Sequence, residues 1–113
     1  MFGEDWFKNS EVESVLIPKS VKSIGKNAFH NCQSLRQVTF AIGSMLETIG
    51  ASCFSGTGIE RIVIPKSVTE IQESAFMSCE LLKEIAFEEG SKLRTIGSGA
   101  FRNCISLAAI DLK

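Results

Sequence analysis

Apolar residues recur in a fixed pattern, apolar-x-x-apolar-x-apolar, at Val12/Val15/Ile17, Leu35/Val38/Phe40, Ile59/Ile62/Ile64, Leu82/Ile85/Phe87 and Leu107/Ile110/Leu112. The alternation and the β-branched content predict a short strand with one buried face at each place. A second apolar pair, three residues apart, follows at Val21/Ile24, Leu46/Ile49, Val68/Ile71 and Leu93/Ile96. It predicts a second, shorter strand or extended turn on another side of the molecule. Five residues after each of these isoleucines stands a phenylalanine, Phe29, Phe54, Phe76 and Phe101, and the residue before it is small: Ala28, Cys53, Ala75 and Ala100. With Gly25, Gly50 and Gly97 just after the second strand, this spacing predicts one turn of α- or 3-10 helix carrying a phenylalanine wedge.

The stretch from Ile17 to Phe29 returns almost word for word from Ile64 to Phe76, 47 residues later and without a gap. Self-similarity on this scale marks a stacked repeat architecture. The connections alternate in kind. Pro18-Lys19-Ser20 and Pro65-Lys66-Ser67 are tight turns, where proline fixes φ and removes a ladder donor as the strand stops; the second and fourth units are two residues longer there and carry Gly43-Ser44 and Gly90-Ser91. The fold expected is a β-rich solenoid, a right-handed coil whose five strand segments share one parallel sheet. Residues 1–113 form one domain on this reading, with four full repeats and a terminal half repeat over 12–113. Residues 1–11 lie outside the repeat, and Trp6 and Phe7 with Phe2 serve either as a partial cap on the first rung or as an aromatic anchor for a partner.

The unit Ile17-Pro18-x-Ser20-Val21-x-x-Ile24-Gly25-x-x-Ala28-Phe29-x-x-Cys32-x-x-Leu35 resembles the BspA-like class of leucine-rich repeats, and the match runs over residues 12–112. Gln72 replaces the usual glycine in the third unit, and Thr57 stands where the second would have cysteine. The resemblance implies the α/β leucine-rich repeat class of curved coils. It also implies a part of a larger surface-exposed or secreted protein used for adhesion or partner binding, with no enzymatic activity and no fixed ligand-contacting residues to carry over.

Four cysteines raise the question of metal or disulfide chemistry. Cys32, Cys79 and Cys104 each follow a phenylalanine by three residues, where the resemblance implies an inward side chain satisfying turning backbone; Cys53 takes the small-residue slot. There is no Cys-x-x-Cys and only one histidine, so the spacing offers no structural zinc set. Buried free thiols are expected, with Cys79–Cys104 as the alternative disulfide, since rungs about 4.8 Å apart fall in the range such a bond tolerates. His30 shares its column with Ser55, Met77 and Arg102, is expected to be exposed, and has no nucleophile at a useful spacing. Gly56-Thr57-Gly58 lacks the further glycine and lysine of a phosphate loop and reads as a tight turn; Glu88-Glu89 reads as a solvated loop. No catalytic set, cofactor motif or metal set emerges.

Outward positions of the main strands form two columns, Ser14, Gln37, Arg61, Glu84, Ala109 and Leu16, Thr39, Val63, Ala86, Asp111. Such a row is a candidate docking floor for a protein or glycan, because rigid strands hold it without further ordering cost; the alternative is a plain solvated sheet in a structural spacer. A formal charge of −1 from 12 basic and 13 acidic residues gives no field to attract nucleic acid or an anionic membrane, and no stretch approaches 18 apolar residues. No secretion signal opens the chain, so localisation stays open, with cell surface or secretion implied by the resemblance alone. No Asn-x-Ser/Thr occurs, and no N-glycan is expected. The bare last strand, with Leu107, Ile110 and Leu112 covered on one side only, predicts either a fragment of a longer array or a homodimer through the C-terminal end.

Overall fold

The computed structural model describes residues 3–111, with side chains through residue 108. Phe2 and Leu112, and the side chains of Ala109, Ile110 and Asp111, lie outside the described set, so the expected end-to-end contact through Ile110 and Leu112 falls outside it too. Nine strands follow in order: β1 Ser14–Ile17, β2 Ser23–Ile24, β3 Gln37–Phe40, β4 Thr48–Ile49, β5 Arg61–Ile64, β6 Glu70–Ile71, β7 Glu84–Phe87, β8 Thr95–Ile96 and β9 Ala109–Asp111. Odd-numbered strands lie on one side of the coil and even-numbered strands on another, and every pairing is parallel, each residue beside its counterpart one rung away. The chain is thus a β-solenoid, as the repeat requires. Ile17, Ile24, Leu35, Leu46, Ile49, Ile59, Ile64, Val68, Ile71, Leu82 and Ile85 fill its interior.

The third side carries the phenylalanines, and here the expected helical turn does not form. No helix occurs among the described residues; consecutive three-residue-back turns run instead, as in Ala28 N to Gly25 O, His30 N to Asn27 O and Cys32 N to Phe29 O. Two causes act together. Left-handed residues recur four apart in each coil, Asn27 (φ 59°) with Asn31 (61°) and Ser74 (58°) with Ser78 (59°), and a right-handed helix cannot pass through them. Alternate amides are also committed to the next coil: Asn27 N to Ala51 O at 3.0 Å, Phe29 N to Cys53 O at 2.8 Å and Asn31 N to Ser55 O at 2.7 Å. The result is a three-bond ladder with stacked rings at its centre. Phe29–Phe54, Phe54–Phe76 and Phe76–Phe101 centroids are 5.4, 5.4 and 5.5 Å apart.

Residues 5–9, expected outside the repeat, make the same turn. Asp5 and Asn9 have φ of 63° and 62°, Phe7 N donates to Ala28 O at 2.7 Å, and the Phe7 ring stacks on Phe29 at 5.2 Å. The segment covers the first rung as another phenylalanine turn. Phe7 is the wedge, whereas Trp6 is 61% exposed.

The main sheet is not continuous, contrary to the single sheet expected. β1 pairs with β3 and β5-β7-β9 form a separate sheet, while β2-β4-β6-β8 run unbroken. Two local changes separate β3 from β5. β3, β7 and β9 are each entered by a turn, Leu35 N to Cys32 O, Leu82 N to Cys79 O and Leu107 N to Cys104 O, but Thr57-Gly58-Ile59 is one residue shorter. The lead-in amide then misses its carbonyl: Arg36 N reaches Glu13 O at 2.9 Å and Lys83 N reaches Glu60 O at 2.8 Å, whereas Glu60 N makes no such bond to Arg36 O. At the strand's other end Ala41 N and Glu88 N donate to the rung before, at 3.0 and 3.1 Å. Pro65 stands at the equivalent place and has no N–H to give.

Candidate binding face

The alternation of β1, β3, β5 and β7 decides which side chains leave the core. Val38, Ile62 and Ile85 point in, and the flanking residues point out on the same face. Ser14 lies beside Gln37 and Leu16 beside Thr39; Arg61 lies beside Glu84 and Val63 beside Ala86. Ser14, Leu16, Gln37, Thr39, Arg61 and Val63 are exposed, and Glu84 and Ala86 half-buried. Ala109 and Asp111 continue the register as backbone. Each column is therefore built within the two sheets and interrupted between the second and third rungs.

Part of the exposed apolar surface lies on this face. Leu16 is 60% and Val63 55% exposed. Beside them the longer loop of the second unit turns at Gly43, where φ is 77°, and leaves Ile42 97% exposed. An open cleft of about 350 Å³ lies where β3 and β5 part, bounded by Gln37, Thr39, Ile42, Arg61, Val63 and Glu88. Arg61 Nε stands 3.6 Å from Glu84 Oε1; both side chains reach solvent, so the pair shapes the charge pattern more than it stabilises. The cleft and Ile42 escaped the sequence reading. The signal was present in Ile42 next to a turn glycine, and in a spacing of five rather than six residues from Phe54 to Ile59.

The thiols lie away from this face. All four are free; Cys32, Cys53 and Cys79 are buried and Cys104 half-buried. Three of them act as donors: Cys32 Sγ to Phe7 O at 2.8 Å, Cys79 Sγ to Phe54 O at 3.0 Å and Cys104 Sγ to Phe76 O at 3.0 Å. Thr57 Oγ1 lies 3.3 Å from Cys79 Sγ. Burial pushes the Cys79 thiol up to about 11, partly offset by the Thr57 hydrogen bond. Burial raises Cys53 strongly and Cys32 and Cys104 more modestly. They are protonated structural donors rather than nucleophiles.

Gly56-Thr57-Gly58 borders a polar depression of about 420 Å³ with Asn31, Arg36 and Glu80. Arg36 lies over Gly58, where any Cβ would collide with its guanidinium, and Arg36 Nη1 donates to Gln33 O at 2.8 Å. The His30 column, expected to be exposed, is largely taken inward: Ser55 is buried and His30 and Met77 half-buried. His30 Nδ1 is enclosed without a hydrogen-bond partner. The stacked turns draw that position against neighbouring coils, which a column of differing residue types does not reveal.

The family model of the BspA type leucine rich repeat region matches residues 1–113 in six copies. Among solved structures, the pneumococcal vaccine antigen PcpA is 29% identical, with a TM-score of 0.79 over 97% of this chain and 30% of that one. A leucine rich cell surface protein from Faecalibacterium prausnitzii is 33% identical, with a TM-score of 0.80 over 96% of this chain and 28% of that one. A leucine-rich repeat protein from Bacteroides ovatus is 32% identical, with a TM-score of 0.76 over 88% and 25%. The chain thus spans between a quarter and a third of the length of these relatives. No curated protein matches the sequence. No helix among the described residues is long and apolar enough to cross a membrane.

Proposed function

The chain belongs to the BspA-type leucine-rich repeat family, and from that premise we propose that it is a non-catalytic binding or adhesion module presenting the outward face of β1, β3, β5 and β7 to a protein or glycan. One observation carries the reading: side chains of mixed character, Leu16, Thr39 and Val63 beside Gln37 and Arg61, stand exposed on strands whose backbones are already fixed. A partner that docks on either half, β1–β3 or β5–β7, orders little of that half, so more of the contact energy appears as affinity. The similarity to a cell surface protein and to a vaccine antigen supports placement at a cell surface.

A glycan array and a protein array probed with the purified chain test this, alongside Leu16→Glu/Val63→Glu. These positions point outward, so the variant keeps its melting temperature and loses whatever the native chain captures. Capture unchanged by the double substitution contradicts the face. A chain that captures nothing is the structural spacer of the alternative reading. Self-association through the fourth coil is a second reading, favoured by Ile96, 47% exposed, beside half-buried Phe101 and Leu107; sedimentation over a range of concentrations decides it.

A further inference from the structure

Among the four complete coils, adjacent ones are held together on three sides except between the second and third rungs. There the phenylalanine side is intact: Ser52 N bonds Glu73 O at 3.0 Å, Phe54 N bonds Ala75 O at 2.8 Å and Gly56 N bonds Met77 O at 2.9 Å. The β4–β6 side is intact as well, with Thr69 N to Glu47 O at 2.9 Å and Gln72 N to Ile49 O at 3.0 Å. Only the main-sheet side is open. β3 and β5 are not paired with each other, Pro65 offers no donor, the shortened Thr57-Gly58 link gives no lead-in bond, and an open cleft of about 350 Å³ lies at the surface where the strands part.

Two stiff halves joined along two sides and free along the third have one soft coordinate. We propose that the solenoid bends at this junction, with the two bonded sides, the β4–β6 side and the phenylalanine side, together forming the hinge, so that the cleft between β3 and β5 widens and narrows. Within each half the ladders β1–β3 and β5–β7–β9 stay whole, and the bonds that cross the junction on the two closed sides flex while remaining made. Bending is confined to one junction because every other junction between successive main strands carries its ladder. Its consequence falls on the outer face: Gln37 and Thr39 ride on one half and Arg61 and Val63 on the other, so the spacing between the two halves of that face varies. The device does not depend on what, if anything, binds there.

Distances across the whole coil separate the hinge from a uniformly stiff rod. In a Cys104→Ser background, spin labels at Ser14→Cys and Glu84→Cys report the main face from first to fourth rung. Labels at Lys22→Cys and Arg94→Cys report the opposite side over the same three rung spacings, about 15 Å between Cα positions at about 4.8 Å per rung. Double electron–electron resonance should give a broad or two-peaked distribution for the first pair and a narrow single peak for the second. Equal widths overturn the proposal. A serine inserted between Gly58 and Ile59, combined with Pro65→Ala, restores the residue count and the missing donor, and should narrow the first distribution toward the second. If this variant folds with β3 and β5 paired and the breadth persists, the breadth does not come from the junction and the proposal fails. The comparison of the two native-junction pairs decides the matter even if the restored variant does not fold.

Discussion

The phenylalanine side and the main-sheet side are built on the same coils, yet one is continuous from Phe7 to Phe101 and the other breaks in the middle. On the phenylalanine side, variation is absorbed. Asn27, Ser52, Ser74 and Gly99 all adopt the same left-handed conformation, and the ladder is made by backbone amides that any of them supplies. On the main-sheet side, continuity depends on residue count and on one N–H. A missing residue at Gly58 and a proline at position 65 remove both. Repeat order therefore survives changes of side chain much better than changes of length or loss of a donor.

The sharpest way to break the comparison is to remove a ring. Phe76 is fully buried and stacked on both faces, so Phe76→Ala should cost about 3–5 kcal/mol, a large part of the roughly 5–15 kcal/mol that stabilises a domain. Phe101, half-buried and stacked on Phe76, should lose visibly less by chemical denaturation. Equal losses, or an unchanged midpoint for Phe76→Ala, contradict the stack as the principal support.

Next comes the left-handed backbone. Asn31 has φ of 61°, and Asn31→Val places a β-branched residue where the left-handed conformation costs about 1–2 kcal/mol. Asn31→Gly should lose less or nothing. If both substitutions lower the melting temperature alike, the side-chain bond from Asn31 Nδ2 to Asn9 Oδ1 matters more than the backbone.

The thiol ladder gives a smaller effect, seen only in alkali. Because the folded state raises the Cys79 pKa from the usual 9.0 to about 11, it binds that proton more tightly than the unfolded chain does. This contribution is complete below pH 9 and declines as pH rises toward 11. Cys79→Ser should therefore show a flatter alkaline stability curve than the native chain, uncomplicated by tyrosine, of which there is none. Parallel curves contradict the burial. The smallest expected change is that of Arg61→Ala, within about 0.5 kcal/mol, since its partner Glu84 is reached through solvent.

The repeat, both strand registers and the inward residues were legible in the sequence because each rung must bury the same triplet against its neighbours. The helical turn was misread because small-residue and phenylalanine spacing fits both a helix and a run of turns; the distinction lies in Asn27 and Asn31, whose side chains tolerate positive φ. The role of residues 5–9 was hidden because Asp5, Phe7 and Asn9 repeat only alternate positions of the motif. On the candidate face the outward columns could be read from alternation alone. The split could not, because it follows from a one-residue deletion and a proline that each look innocuous and act together on one ladder.

Residue-resolved amide hydrogen exchange tests the central contrast most directly. If the phenylalanine side is continuous and the main sheet split, the amides of Phe29, Phe54 and Phe76 exchange with similarly strong protection, Arg36 and Lys83 are protected, and Glu60 exchanges fast. A Glu60 amide as protected as those of Arg36 and Lys83 would mean that β3 and β5 are joined in solution, and would contradict the account.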